Sequence, residues 1–312
     1  MLLADIMHYI PCTLYEWLAT ATGDRVAASD PTCSPWACTR CETGKGRVGD
    51  AVMVKQVTGV RYVTPLREGG SLPAVVDTDA PGTFVVKFRG AGQGARALVA
   101  EVIVAQLAQV LGLPIPDFAL VDLAAGFGEG EPDPEIQDLL RGSVGTNFGL
   151  AYLPGAFSFD PAADRGITPD LAAAIVWFDA YTTNVDRTPR NTNLLTWQGG
   201  LYLIDHGAAL YFHHSPGAWE SRARGRFPQI KDHVLLPFAG DIAATGARLA
   251  PLLTDTTVRE IVSGVPDEWL TGDGNAADAA AQREAYVAYF LARLAAPRAF
   301  EQEAADAAAR LV

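Results

Sequence analysis

NVDRTPRNTNLL, residues Asn184–Leu195, directly follows LAAAIVWFDAYT, an apolar run that reads as a buried helix. A chain that leaves such a helix through amides, a carboxylate, two arginines and a proline is either simply turning or presenting chemistry at the edge of its core. Asn, Asp and Pro are turn formers in any loop, so the composition alone does not decide. Asp186 and Asn191 stand five positions apart, and Asp205 comes fourteen positions after Asn191, inside LYLIDHG. The reading turns on whether these three oxygen-bearing side chains meet.

The stretch NTNLLTW–QGG–LYLID places two β-type apolar runs on either side of a Gly-Gly turn, a strong hairpin signal. With Asn193–Trp197 as one strand, Gln198–Gly200 as the loop and Leu201–Asp205 as the other, antiparallel pairing sets Asn193 opposite Asp205. Directly opposed residues have Cβ atoms about 4.5–5.5 Å apart. Asp186 and Asn191 lie just before the first strand, so all three groups are expected at the open end of the hairpin. Carboxylate and amide oxygens suit Mg2+, which takes one or two carboxylates together with substrate phosphates. Asp186 as proton acceptor, followed by Asn191 and Asp205 as metal ligands, is the order of residues that phosphoryl transfer uses.

Two charges upstream belong with this set. Lys87 interrupts TFVVKF, an otherwise apolar β-type run, and Glu101 is the only acid in the helix predicted from Arg96 to Leu111. A buried charge is costly unless paired. The stripe Ala97, Glu101, Val104, Ala108 and Leu111 would bury the carboxylate, and a lysine in the neighbouring strand would neutralise it. A strand lysine paired with a helix glutamate is how kinases hold ATP phosphates. Before Lys87, EGGSLP (Glu68 to Pro73) reads as a turn, in which Gly69, Gly70 and Ser71 offer backbone N–H groups to phosphate.

The bulk properties narrow the field. The chain has 312 residues, 49% hydrophobic and 19% charged, with a net charge of −12. That balance disfavours nucleic acid or an anionic membrane as main partner. No run is long enough to span a bilayer, and no Lys or Arg precedes Arg25, so no secretory leader is expected and the expected location is cytoplasmic. All four cysteines, Cys12, Cys33, Cys38 and Cys41, fall near the start. They are either incidental thiols or, with His8 as an option for the fourth ligand, a zinc site; the single CxxC favours the former. His213, His214 and His233 lack metal-ligand spacing, and SRARGRF, with Arg222, Arg224 and Arg226, reads as a solvated loop.

Residues 1–47 show no sustained period and are expected to form a poorly ordered extension. AVMVKQV, RYVTPL, TFVVKF, PDFALVDL and NFGLAYL read as strands around the one helix, with residues 124–145 as a solvated loop containing at most one helical turn. From LPGA (Leu153 to Ala156) onward the elements are mainly helical. The expected class is α+β, with residues 48–152 as a strand-rich half and 153–312 as a helical half.

VVKFRG…RALVAE, FDAYTTNVDRTPRNTNLL and LYLIDHGAAL together resemble the HipA-like kinases, over roughly Val48 to Leu270, and more distantly the phosphoinositide lipid kinases. The resemblance implies a bilobal protein-kinase-like fold, a small antiparallel-sheet lobe with one helix followed by a mainly helical lobe. It implies ATP and Mg2+, and transfer of the γ-phosphate to a hydroxyl, expected to be Ser or Thr of a protein. Asp186 would be the catalytic base, Asn191 and Asp205 metal ligands, Lys87 a contact to the α/β-phosphates and Glu101 its anchor. Leu153 and Pro154 would lie near the adenine hinge. Thr188 stands where many relatives have His, and Asp205-His206-Gly207 replaces D-F-G; His206 is assigned a structural role. The N-terminal subdomain of the longer toxin members is not recognised, so a DNA-bound antitoxin partner is not expected. The other readings are a nucleotide-binding module without turnover and a kinase acting on a small molecule or lipid headgroup.

Overall fold

The computed structural model describes residues 53–66, 72–163, 167–214, 219–271 and 276–311. The expectations for residues 1–47, for the four cysteines and for Gly69, Gly70 and Ser71 lie outside the described residues.

The first half of the described chain is mainly strands. Strands β1 (Lys55–Pro65), β2 (Ala74–Thr78) and β3 (Thr83–Lys87) are followed by helix α1 (Gly94–Val110) and strand β4 (Phe118–Leu123). Helix α2 (Pro134–Arg141) and strand β5 (Gly145–Ala151) complete this half. Val57, Ala74, Val76, Phe84, Val86, Ala119 and Val121 point inward and pack together with Leu123. Each such Val or Leu taken from water contributes about 1.5–3 kcal/mol.

The expected antiparallel sheet differs in one respect. The strands run β1-β2-β3-β5-β4 and β4 pairs back on β1 in parallel, closing a barrel. A parallel pair needs a long crossover, here the whole of β2, β3 and α1, and no local sequence pattern announces it. Packing inside is tight enough to specify a glycine. A Cβ on Gly149 of β5 would lie 2.8 Å from Val121 Cγ2 and 3.2 Å from Phe84 Cβ.

Two local expectations are corrected as well. AVMVKQV and RYVTPL form one strand over their described residues, because register shifts at Gly59/Arg61 and Tyr62/Thr64 absorb the break in alternation. Residues 124–145 contain a two-turn helix, α2, capped at its N-terminus by the Asp133 carboxylate and carrying Pro134 in its first turn.

The second half is mainly helical. The short strand β6 (Phe157–Ser158) precedes helix α3 (Pro169–Thr182), and strands β7 (Leu194–Trp197) and β8 (Gly200–Leu203) form a hairpin on which β6 pairs. Then come α4 (Trp219–Ala223), α5 (Ile242–Leu249), α6 (Asp255–Ser263), α7 (Asp267–Leu270), α8 (Ala276–Leu294) and α9 (Ala299–Ala309). Trp177 and Tyr181 of α3 pack with Phe290 of α8 and Phe300 of α9. Tyr286, Tyr289 and Phe290 are core residues, as their helical spacing indicates. Among the described residues no helix is long and apolar enough to cross a membrane. The molecule is thus α+β, sheet-rich first and helical after.

Helix α1 joins the halves. It is buried on nearly every face, not on one stripe, because the β5 side of the barrel lies against it and α6 and α7 pack elsewhere along it. Gln106 Nε2 donates to the Ile261 carbonyl of α6 at 3.2 Å.

Candidate active site

The site begins where α3 ends. Thr183 adopts φ +54°, turning the chain out of the helix, and the Asn184 N–H caps the Asp179 carbonyl at 2.9 Å. The Asn184 side chain then accepts from the Asp186 N–H at 3.1 Å, and Thr188 and Asn191 bridge each other in a tight turn. This loop brings Asn191 Nδ2 to Asp186 Oδ2 at 2.7 Å and Asn193 Nδ2 to the same oxygen at 3.3 Å. Asp186 Oδ1 takes no hydrogen bond among the described residues, and the side chain is half-buried.

The hairpin forms as expected but with its register moved by one. Gln198 and Gly199 both have positive φ (49° and 76°), which makes a two-residue type I′ turn instead of the three-residue loop read from Gln-Gly-Gly. Trp197 pairs with Gly200 and Leu194 with Leu203, and the Ile204 N–H donates to the Asn193 carbonyl at 3.1 Å. Asn193 is therefore level with Ile204 and not with Asp205. A one-residue slip normally sends a side chain to the other face. Here the strands end at that point: Asn193 (φ +47°) and Asp205 (φ +54°) both turn into the left-handed region.

That turn points Asp205 at Lys87. The Lys87 ammonium donates to Asp205 Oδ1 at 2.6 Å and to Glu101 Oε1 at 2.5 Å, so β3, α1 and the end of the hairpin meet on one nitrogen. Glu101 is fully buried, Lys87 nearly so, and the Asp205 side chain is 44% exposed. Burial pulls the lysine's pKa down, but the Glu101 and Asp205 carboxylates outweigh it and hold Lys87 above its usual value. Burial pushes Glu101 up against the opposing pull of Lys87. Asp205 is also pushed up by burial, yet the lysine beside it brings it below the ordinary carboxylate value. Gly207 is part of this junction: a Cβ there would sit 3.2 Å from Glu101 Oε1.

A second polar cluster lies beneath the loop, and the loop's turn-like composition concealed it. Asp179, the only acid within the apolar part of α3, accepts from Arg187 Nε at 2.6 Å, His233 Nε2 at 2.9 Å and Asn184 Nδ2 at 3.2 Å. Arg187 Nη1 donates to the carbonyls of Asn193 and Ile204, and Nη2 to His206 Nδ1 at 3.3 Å. His233 Nδ1 accepts from the Leu235 N–H at 3.0 Å, which fixes the tautomer with its proton on Nε2. Despite burial, the Arg187 charge and the His233 bond bring Asp179 down to about 2. Burial, reinforced by Arg187, lowers His206 to about 3, so the ring is neutral at pH 7. His206 is wholly buried, with Nδ1 against Arg187. His213 and His233 are buried packing residues, with His213 Nδ1 at 2.8 Å from the Tyr286 hydroxyl. The logic that singled out Glu101, a lone acid in an apolar helix, also applies to Asp179 and would have found it.

Residues 60–302 match the family model described as HipA-like kinase. The chain belongs to the HipA-like kinase family. No curated protein and no solved structure matches it. Membership gives this HipA-like kinase a kinase-like, phosphotransferase type of function. Among its described residues no group of three His, Cys, Asp or Glu side chains is gathered to hold a metal. The oxygen donors open to solvent near the loop are Asn191, which is exposed, and the half-buried Asp186 and Asp205. That donor set suits a hard divalent cation that completes its shell with water and substrate phosphate. At the Leu153 to Ala156 turn, the Pro154 carbonyl accepts from Trp197 Nε1 at 2.9 Å.

Proposed function

We propose that this HipA-like kinase transfers the γ-phosphate of ATP to a Ser or Thr hydroxyl of a protein. In this reading residues 48–152 form the nucleotide-binding lobe and 153–312 the catalytic lobe of a bilobal kinase. The observation that carries it is the Lys87 ammonium shared between Glu101 and Asp205. Surface lysines rarely pair with a wholly buried glutamate, and a charge held this way is worth its desolvation where it meets phosphate.

Lys87, fixed by Glu101, would hold the α- and β-phosphates. The Gly69, Gly70 and Ser71 backbone would cover them, and the turn at Leu153 and Pro154 would border the adenine. Asn191 and Asp205 fit Mg2+ by donor type and exposure, and the ion when bound supplies charge neutralisation across the phosphates. Asp186 would orient the acceptor hydroxyl and take its proton at Oδ1, the oxygen that Asn191 and Asn193 leave free. The hydroxyl oxygen forms a bond to the γ-phosphorus while the bond from that phosphorus to the β-bridging oxygen breaks, and ADP leaves with the electron pair.

Asp186→Asn tests this. Transfer from γ-labelled ATP should fall roughly 10³-fold, the scale of a lost general base, with nucleotide affinity unchanged. A variant that still transfers at the wild-type rate removes Asp186 from the base role. Thr188 and Asp205-His206-Gly207 favour a second reading, a nucleotide-binding module without turnover. Incubation of the wild-type protein with Mg-ATP, read by mass shift, separates the two. Comparing phosphoproteomes of cells carrying wild type and Asp186→Asn tests the protein acceptor against a small molecule or lipid headgroup.

A further inference from the structure

The residue after the proposed base points the opposite way. Asp186 faces the site, whereas Arg187 is 1% exposed and runs beneath it. Its guanidinium contacts four residues. Nε meets Asp179 of α3, Nη1 meets the carbonyls of Asn193 and Ile204 at the mouth of the hairpin, and Nη2 meets His206. The chain positions of these partners are informative. Ile204 and His206 flank Asp205 on both sides, and Asn193 is two residues from Asn191.

The hairpin mouth explains why an arginine is used. Asn193 and Asp205 both leave the sheet through positive φ, so the ladder stops after the Ile204 to Asn193 bond. The Asn193 carbonyl, which already takes the Ile204 N–H, and the half-buried Ile204 carbonyl both face the guanidinium, and a buried C=O short of a donor costs free energy. The guanidinium bonds both, and its rigid fork fixes the gap between the strand that leads to Asp205 and the loop that carries Asp186 and Asn191. A lysine, with one point charge on a flexible stem, would meet Asp179 but would not span both carbonyls and His206. Burying an ion pair is a poor way to gain stability by itself, since desolvation offsets the attraction.

Building on the kinase reading, we infer that Arg187 is a positioning residue: it sets the spacing between the Asp186–Asn191 loop and Asp205, and so the geometry of the divalent-cation site. Asp179, seated by His233 and Asn184, is the foot on which the arginine stands.

The test uses the full chain. Arg187→Met alone would strand the Asp179 charge and unfold the protein for an unrelated reason, so it is made together with Asp179→Asn, which keeps an acceptor for His233. Arg187→Lys, which retains the charge, is the second variant. Thermal midpoints, Mn2+ binding with ADP by electron paramagnetic resonance, metal-free ADP affinity and the phosphotransfer rate are measured for each. Both variants should stay folded and bind metal-free ADP like the wild type, while Mn2+ affinity falls about 10–100-fold and transfer falls with it. Wild-type Mn2+ affinity in a folded Arg187→Lys or in the folded double variant overturns the inference. A wild type that binds Mn2+ and ADP but never transfers phosphate defeats the kinase reading, while the Mn2+ affinities still decide the role of Arg187. A wild type that binds no Mn2+ overturns both.

Discussion

Glu101 and Asp179 are each a lone carboxylate in the apolar run of a helix, and both are fully buried. Their surroundings differ in kind. Asp179 takes hydrogen bonds on both oxygens, from Arg187, His233 and Asn184, in a cluster closed to solvent, and it is held down at about 2. Glu101 has one oxygen on Lys87 and none of the described residues bonds the other, and burial holds it up. Its lysine is shared with a carboxylate that is open to solvent. A carboxylate bonded on both oxygens makes a rigid foundation, and one with an unbonded oxygen is where a further charged group can be received. The two helices thus supply one fixed support and one receptive junction.

The contrast predicts opposite outcomes for removing the two acids. Asp179→Ala leaves the Arg187 cation buried without its partner and should cost about 3–5 kcal/mol in urea unfolding, the largest effect expected. An intact midpoint would show that the cluster is not the foundation.

Acid should act next, through His206. Its pKa is lowered from 6.5 to about 3 in the folded protein, so between those values the unfolded chain binds a proton that the folded one does not. The His206 contribution to stability therefore falls as pH drops below 6.5, by about 2 kcal/mol at pH 5 relative to pH 7, and His233, also lowered by burial, acts in the same direction. Asp179, depressed from 3.8 to about 2, contributes stability that is lost only below pH 3.8, outside that window. His206→Asn should flatten the slope by this amount, and an unchanged slope would place the proton elsewhere.

Glu101→Gln should shift unfolding by no more than about 1 kcal/mol, because it also removes a buried charge, yet it should weaken nucleotide binding and transfer about tenfold or more. Equal losses of stability in Glu101→Gln and Asp179→Ala would erase the distinction. Smallest of all, Arg141→Ala cuts a pair with Asp138 in which both side chains are mostly exposed, and it should leave the unfolding midpoint where it was.

What the sequence disclosed follows the range of the forces involved. Lys87 and Glu101 stood out because a charge inside an apolar run demands a partner, and each was the other's nearest candidate. The Gln198–Gly199 turn was recognisable, but its type was not, since Gln rarely takes the positive φ that Asn, Asp or Gly adopts at that place. The register error of one residue came from that. Asp205 itself turns left-handed there, and its carboxylate meets Lys87. The parallel β1–β4 pairing depends on a crossover through half the barrel, and no local window contains it. Arg187 was passed over because, beside Pro189 and Arg190, it reads as loop; its burial is set by Asp179 and His233, far away in the chain.

Closing β4 onto β1 also limits how another polypeptide can engage this molecule. A ring of paired strands has no bare backbone rim, so the barrel cannot take up a visiting peptide as an extra strand. Among the described residues, open rims remain only on the three-stranded β6-β7-β8 sheet. That sheet carries the Gln198–Gly199 hairpin, whose far end delivers Asp205, so a chain zipping onto it would dock on the same small sheet that supports the site.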